Sequence, residues 1–188
     1  MKNLNSFLYT AVLLIAFGGL THLDAQNGTT MVGGEAMYPK KNIVENAVNS
    51  KDHTTLVAAV KAAGLVETLQ SEGPFTVFAP VNSAFDALPE GTVSALLKPE
   101  AKDQLTGVLT YHVVAGRMDT KAIEKAIKDG KGKATLKTVN GGALTASMNG
   151  NRNIIIQDSN GNVANISTYD VYQSNGVIHV IDKVLLPK

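Results

Sequence analysis

The chain contains no cysteine. That excludes disulfides, thiol catalysis, cysteine-ligated metals and lipid attachment through a cysteine. Aromatic residues make up only 5%, too few for the stacking platforms that hold single-stranded nucleic acid. Neither sign of charge dominates: 17 Lys and Arg stand against 16 Asp and Glu, a net charge of +1. Nothing in that balance indicates a nucleic-acid partner. Catalytic signatures are missing too: there is no Gly-x-Ser-x-Gly, no His-Glu-x-x-His and no phosphate-binding loop. The acidic pairs Asp86/Glu90 and Glu67/Glu72 have ordinary surface spacing, and no internal repeat is visible.

Nor is there an apolar run long enough to cross a bilayer. Phe7 to Leu20 covers about fourteen residues, short of the ~20 that a spanning helix needs. With Lys2 before it and the polar exit Thr21–Ala25 after it, residues 1–25 have the layout of a secretory signal peptide, cut between Ala25 and Gln26. The alternative is an uncleaved anchor. Removing 1–25 takes away Lys2 and Asp24, so the net charge is unchanged. The short basic start and the lack of cysteine favour a bacterial exported protein, secreted, periplasmic or held at the cell surface, with no membrane contact after cleavage.

What is present is enough for one buried domain: 188 residues, 44% of them apolar. Residues 26–39 are polar and Gly-rich and read as a flexible leader, with the domain over 40–188. The first half of that domain is helical in pattern. Leu56, Val57, Val60 and Ala63 form one buried stripe, with Asp52 or Thr54 as its predicted N-cap and Gly64 as its stop. Asn82 or Ser83 is predicted to cap a short helix over 84–88, Thr92 another, and Asp119 or Thr120 an amphipathic helix that buries Ile123 and Ile127. After Lys133 the turn signals Asn140-Gly141, Asn149-Gly150 and Asn160-Gly161 separate runs of hairpin character. One apolar strand, Phe75–Ala79, stands among the helices, and the final apolar strand is its expected neighbour. The class is therefore α+β.

Two local features stand out. Lys121, Lys125, Lys128, Lys131, Lys133 and Lys137 lie close together against Glu124 and Asp129, the first three at i, i+4, i+7 on one helix face. A solvated face explains this, and so does a patch that meets an acidic polysaccharide or surface polymer. His53, His112 and His179 have no spacing suited to a metal. The last two are expected to be structural, tying backbone groups where helices and strands meet.

Two segments carry a family resemblance. They are Phe75-Thr76-Val77-Phe78-Ala79-Pro80-Val81-Asn82-Ser83-Ala84-Phe85 and Asn175-Gly176-Val177-Ile178-His179-Val180-Ile181-Asp182-Lys183-Val184-Leu185-Leu186-Pro187. They resemble the two signature segments of the fasciclin (FAS1) domain, with Tyr111-His112-Val113-Val114 similar to its central Tyr-His motif. The resemblance runs from Asn42 to Pro187 and departs from the pattern at Val81, where the family usually has Thr. It implies a FAS1 fold, an antiparallel β-wedge flanked by a cluster of α-helices, in which Asn82, Tyr111, His112, Asn175 and His179 serve the fold. By function it implies a non-enzymatic adhesion or binding module without a cofactor. Such a module acts at the cell surface or in the extracellular matrix on a protein or polysaccharide. Its contact surface is expected at Lys121, Lys125, Lys128, Lys131 and Lys133. The alternative is a carrier of an apolar small ligand such as a carotenoid. Asp170-Val171 is the nearest match to the Asp-Ile pair near which some animal members bind integrins, a role that does not transfer to a bacterial protein.

Overall fold

The computed structural model describes residues 28–188, so the predicted signal peptide and its cleavage site lie outside the described residues. A short hairpin comes first, β1 (Thr30–Val32) and β2 (Glu35–Met37). Helices follow: α1 (Ile43–Ala47), α2 (Thr54–Ala63) and α3 (Val66–Gln70). Strand β3 (Phe75–Pro80) is followed by α4 (Asn82–Asp86), α5 (Thr92–Leu96) and α6 (Lys102–Tyr111). Then come β4 (Val113–Ala115), α7 (Thr120–Asp129) and the strands β5 (Lys133–Lys137), β6 (Ala143–Asn149), β7 (Asn153–Gln157), β8 (Val163–Gln173) and β9 (Gly176–Ile181).

The main sheet has the order β4-β3-β9-β8-β7-β6-β5. Its neighbours are antiparallel except for the second and third strands, where β3 runs parallel to β9 with Phe75 opposite Gly176 and Pro80 opposite Ile181. The wedge is thus mostly antiparallel, and the early strand does pair with the last one. A parallel pair cannot be closed by a hairpin; here almost the whole domain is the crossover. The two edges of the sheet curl toward each other, since Val114 bridges Thr138 and Val139 N–H donates to Val113 at 2.8 Å.

Both faces of the β3–β9 pair are covered, which is why the two strands read as unbroken apolar runs. Val77, Ala79, Ile178 and Val180 turn toward α1, α2, α3 and α6. Phe78 and Ile181 turn the other way, into a second core with Ile123, Ile127, Leu144, Ile154 and Ile156 inside the curl. Gly176 has no room for a side chain: a Cβ there would lie 2.3 Å from the Phe75 carbonyl oxygen.

Several local predictions are revised by tertiary contacts. Residues 30–37, expected to belong to a flexible leader, form the β1–β2 hairpin and bury Val32 and Met37 in the helical core. The Gly33-Gly34 pair that suggested flexibility is the hairpin turn, with φ of +60° and +79°. Neither Asp52 nor Thr54 caps α2: a 3-10 turn, Lys51–His53, leads straight into it without a side-chain cap. Helix α4 begins at Asn82 itself, with Val81 at the cap position, because the Asn82 amide is engaged elsewhere. Thr92 is the first residue of α5, and Gly91, at φ +80°, stands at the cap. Asp119 does cap α7, accepting from Ala122 N–H at 2.9 Å.

Candidate binding surface

Helix α7 buries Ile123 and Ile127 and leaves Lys121, Lys125 and Lys128 on its opposite face, within an arc of about 60° at 3.6 residues per turn. The helix ends in a tight turn in which Gly132 N–H reaches the Ile127 carbonyl at 2.8 Å. Lys131 takes a left-handed φ of +56° in that turn, a conformation that side chains other than Gly and Asn adopt at a cost. Strand β5 alternates: Ala134 and Leu136 point inward, Lys133 and Lys137 outward. All six lysines are exposed. Of these six, Lys125 alone pairs with a carboxylate among the described residues, Asp129 at 2.5 Å, and this hydrogen-bonded carboxylate raises its pKa. An open groove lined by Met118, Ala126, Lys137 and Thr138 lies between β4, α7 and β5, beside these side chains.

The motif residues occupy a different place, between the layers. Asn175 accepts from Ile43 N–H at 3.0 Å and donates to the Leu69 and Ser71 carbonyls, each at 2.8 Å. One amide thereby joins the start of α1, the end of α3 and the turn into β9. Asn82 accepts from Thr55 N–H at 3.0 Å and donates to the Lys51 carbonyl at 2.8 Å, so it supplies from 27 residues away the cap that α2 lacks locally. The Tyr111 hydroxyl donates to the Ala143 carbonyl at 2.8 Å and accepts from Ser159 N–H at 2.9 Å. His112 donates through Nδ1 to the Val108 carbonyl at 2.8 Å and accepts at Nε2 from Leu185 N–H at 2.9 Å. Burial lowers its pKa to about 4. His179 lies against Phe78, ring centroids 5.7 Å apart, and donates to the Met118 carbonyl at 2.8 Å. Its pKa is also lowered by burial. Among the described residues, no hydrogen bond links these five to the lysine side chains.

Asp170 sits in a β-bulge of β8 at φ +54°. Its carboxylate accepts from Thr120 N–H at 2.7 Å, at the start of α7. Among the described residues no cluster of three His, Asp or Glu is arranged to hold a metal ion.

An apolar cavity of about 120 Å³ lies between the helical layer and the sheet, the place where the carrier alternative would seat its ligand. Val32, Met37, Ile43, Val60, Val77 and Ile178 belong to its wall, and so does the buried His53. Its lining is drawn from stretches far apart in the chain, from Val32 in β1 to Val180 in β9.

Comparison with known proteins agrees with this architecture. Residues 51–187 match the family model described as "Fasciclin domain". Protein sll1483 of Synechocystis is 40% identical, over 95% of this chain and 98% of its own length. Cell surface glycolipoprotein MPB83 of Mycobacterium bovis is 34% identical over 90% of this chain and 70% of its own. Transforming growth factor-beta-induced protein ig-h3 of Sus scrofa is 34% identical over 99% of this chain, which spans only 26% of that protein. A FAS1 domain pair from the insect cell adhesion molecule fasciclin I shares the fold, with a TM-score of 0.68 at 18% identity, over 79% of this chain and 51% of the other. By its two signature strands, by the parallel pair they form and by these matches, the chain belongs to the fasciclin domain family.

Proposed function

We propose that the protein is a non-enzymatic adhesion module that works outside the cell or at its surface, gripping an acidic polysaccharide with the lysine face of α7 and β5. The observation that carries this reading is the set of exposed lysines on two adjoining elements, beside an open groove. Relatives named as a cell surface glycolipoprotein and a cell adhesion molecule support the location and the class of function. Among the described residues no helix is long and apolar enough to cross a membrane.

Binding to an acidic polysaccharide through such a face must weaken with salt, because each phosphate-, sulfate- or carboxylate-lysine contact displaces a counterion. The test is binding of the protein to source cells and to their extracellular polysaccharide across a salt series, beside a Lys121→Ala/Lys125→Ala/Lys128→Ala variant. Saturable binding that falls with salt, and falls about ten-fold or more in the variant, is the expected result. Binding that is indifferent to both salt and the substitutions would remove the lysine face from the account.

The second reading, a carrier of a carotenoid-like ligand, has the apolar cavity in its favour. Its volume of about 120 Å³ falls well below the ~300–1,000 Å³ of sites that enclose drug-sized ligands. Size therefore favours the adhesion reading.

A further inference from the structure

We propose that the cavity between the helical layer and the central strands is a binding site for a small monohydroxylated hydrocarbon, with the His53 ring as its polar anchor. Its volume, about 120 Å³, approaches that of a cavity of roughly 150 Å³ known to hold one benzene ring. The wall is almost entirely apolar, and a dry cavity of this kind takes apolar guests.

Of the polar residues in that wall, His53 is the one with a buried, unpaired side-chain atom. It is 4% exposed. Its Nδ1 is engaged by the Ser50 hydroxyl at 2.8 Å, and Ser50 is itself 2% exposed. Nε2, on the far side of the ring, makes no hydrogen bond. Backbone Ala79, also part of the wall, favours a protonated ring, yet forms no hydrogen bond of ordinary geometry with that nitrogen. A buried polar atom left unpaired costs about 1–3 kcal/mol, and burial holds the ring neutral by lowering its pKa. If Ser50 donates to Nδ1, Nε2 carries the hydrogen and needs an acceptor. If Nδ1 donates to Ser50, Nε2 offers a lone pair and needs a donor. A ligand hydroxyl answers either case, because it both donates and accepts. A bare hydrocarbon answers neither, and an ionised ligand has no counter-charge inside an apolar wall.

The β1–β2 hairpin forms one side of the site. Val32 and Met37 belong to the wall, and Gly33 packs so tightly on Ser50 that a Cβ there would lie 2.4 Å from its hydroxyl oxygen. The exposed wall residues Lys61, Thr68 and Val139 mark where the cavity meets solvent, so a guest can enter without global unfolding.

The test is a titration of the protein with phenol and with benzene, followed by the ¹⁵N resonances of the His53 ring and by the shift in Tm. Phenol is expected to move the ring resonance saturably and to bind about ten-fold tighter than benzene, the worth of one net hydrogen bond. In His53→Phe the two probes should bind alike. In Val57→Phe, which keeps the imidazole and fills the cavity, neither should bind. Equal affinities in the unsubstituted protein, no saturation by either probe, or phenol shifts that spare the His53 ring would each overturn the assignment. The phenol–benzene comparison in the unsubstituted protein decides the matter even if His53→Phe fails to fold.

Discussion

His112 has both ring nitrogens committed, one to the Val108 carbonyl and one to Leu185 N–H. A second proton would turn an acceptor into a donor aimed at an amide hydrogen. With a folded pKa of about 4 against 6.5 for the free imidazole, the unfolded chain holds a proton between these values that the folded chain refuses. Stability from this group is complete above pH 6.5 and is lost as pH falls toward 4, by on the order of 3 kcal/mol. His53 and His179 are shifted the same way by burial and add to the fall. Urea unfolding at stepped pH from 7 to 4 should show this loss, and His112→Gln should flatten it by about one proton. Asn175 makes a second residue-scale prediction. Asn175→Ala strands Ile43 N–H and two carbonyls, so it should cost about 2–4 kcal/mol in the same assay. Asn175→Asp should cost more, because a carboxylate would face the Leu69 and Ser71 carbonyls. These five motif positions could be identified from the sequence by resemblance. Their partners could not, since Asn175 bonds across 132 residues to Ile43.

At the scale of elements, helix α7 was legible almost to the residue. Its cap, apolar stripe and lysine face are all local matters of 3.6-residue spacing, and of the two cap candidates Asp119 takes the position. The hairpin of residues 30–37 was not legible. Three-residue strands on either side of a Gly-Gly turn carry too little pattern, and what orders them is the burial of Val32 and Met37 against a surface assembled from later chain. Met37→Ala is accordingly expected to destabilise the protein by about 2–4 kcal/mol, where a leader residue would give no measurable change. Denaturant midpoints for Met37→Ala and for the exposed neighbour Met31→Ala separate the two cases, since Met31 is 61% exposed. Local pattern places the short helices α4 and α5 within a residue or two but does not find their caps, Val81 and Gly91. Asn82 and Thr92 are strong capping types, and each is claimed by a different geometry in the folded chain.

For the molecule as a whole, the central fact is that β3 and β9 lie side by side although 101 residues separate Phe75 from the facing Gly176. The helical layer rests on Ile178 and Val180 as much as on Val77 and Ala79. A chain cut before Gly176 should therefore lose dispersed NMR signals throughout and not only in the sheet. Retention of a folded helical half would contradict that single cooperative unit. Local rules alone settle the class α+β, the long helices and the hairpin turns, because propensity and periodicity act within a few residues, and the want of cysteine excludes disulfides. They also place the lysines on one helical face. Long-range packing alone makes the β3–β9 pair parallel, directs Asn82 to α2 rather than α4, and lines an apolar cavity with a histidine whose Nε2 is unpaired. Those outcomes depend on groups brought together from distant parts of the chain, where shape and hydrogen-bond demand override local preference.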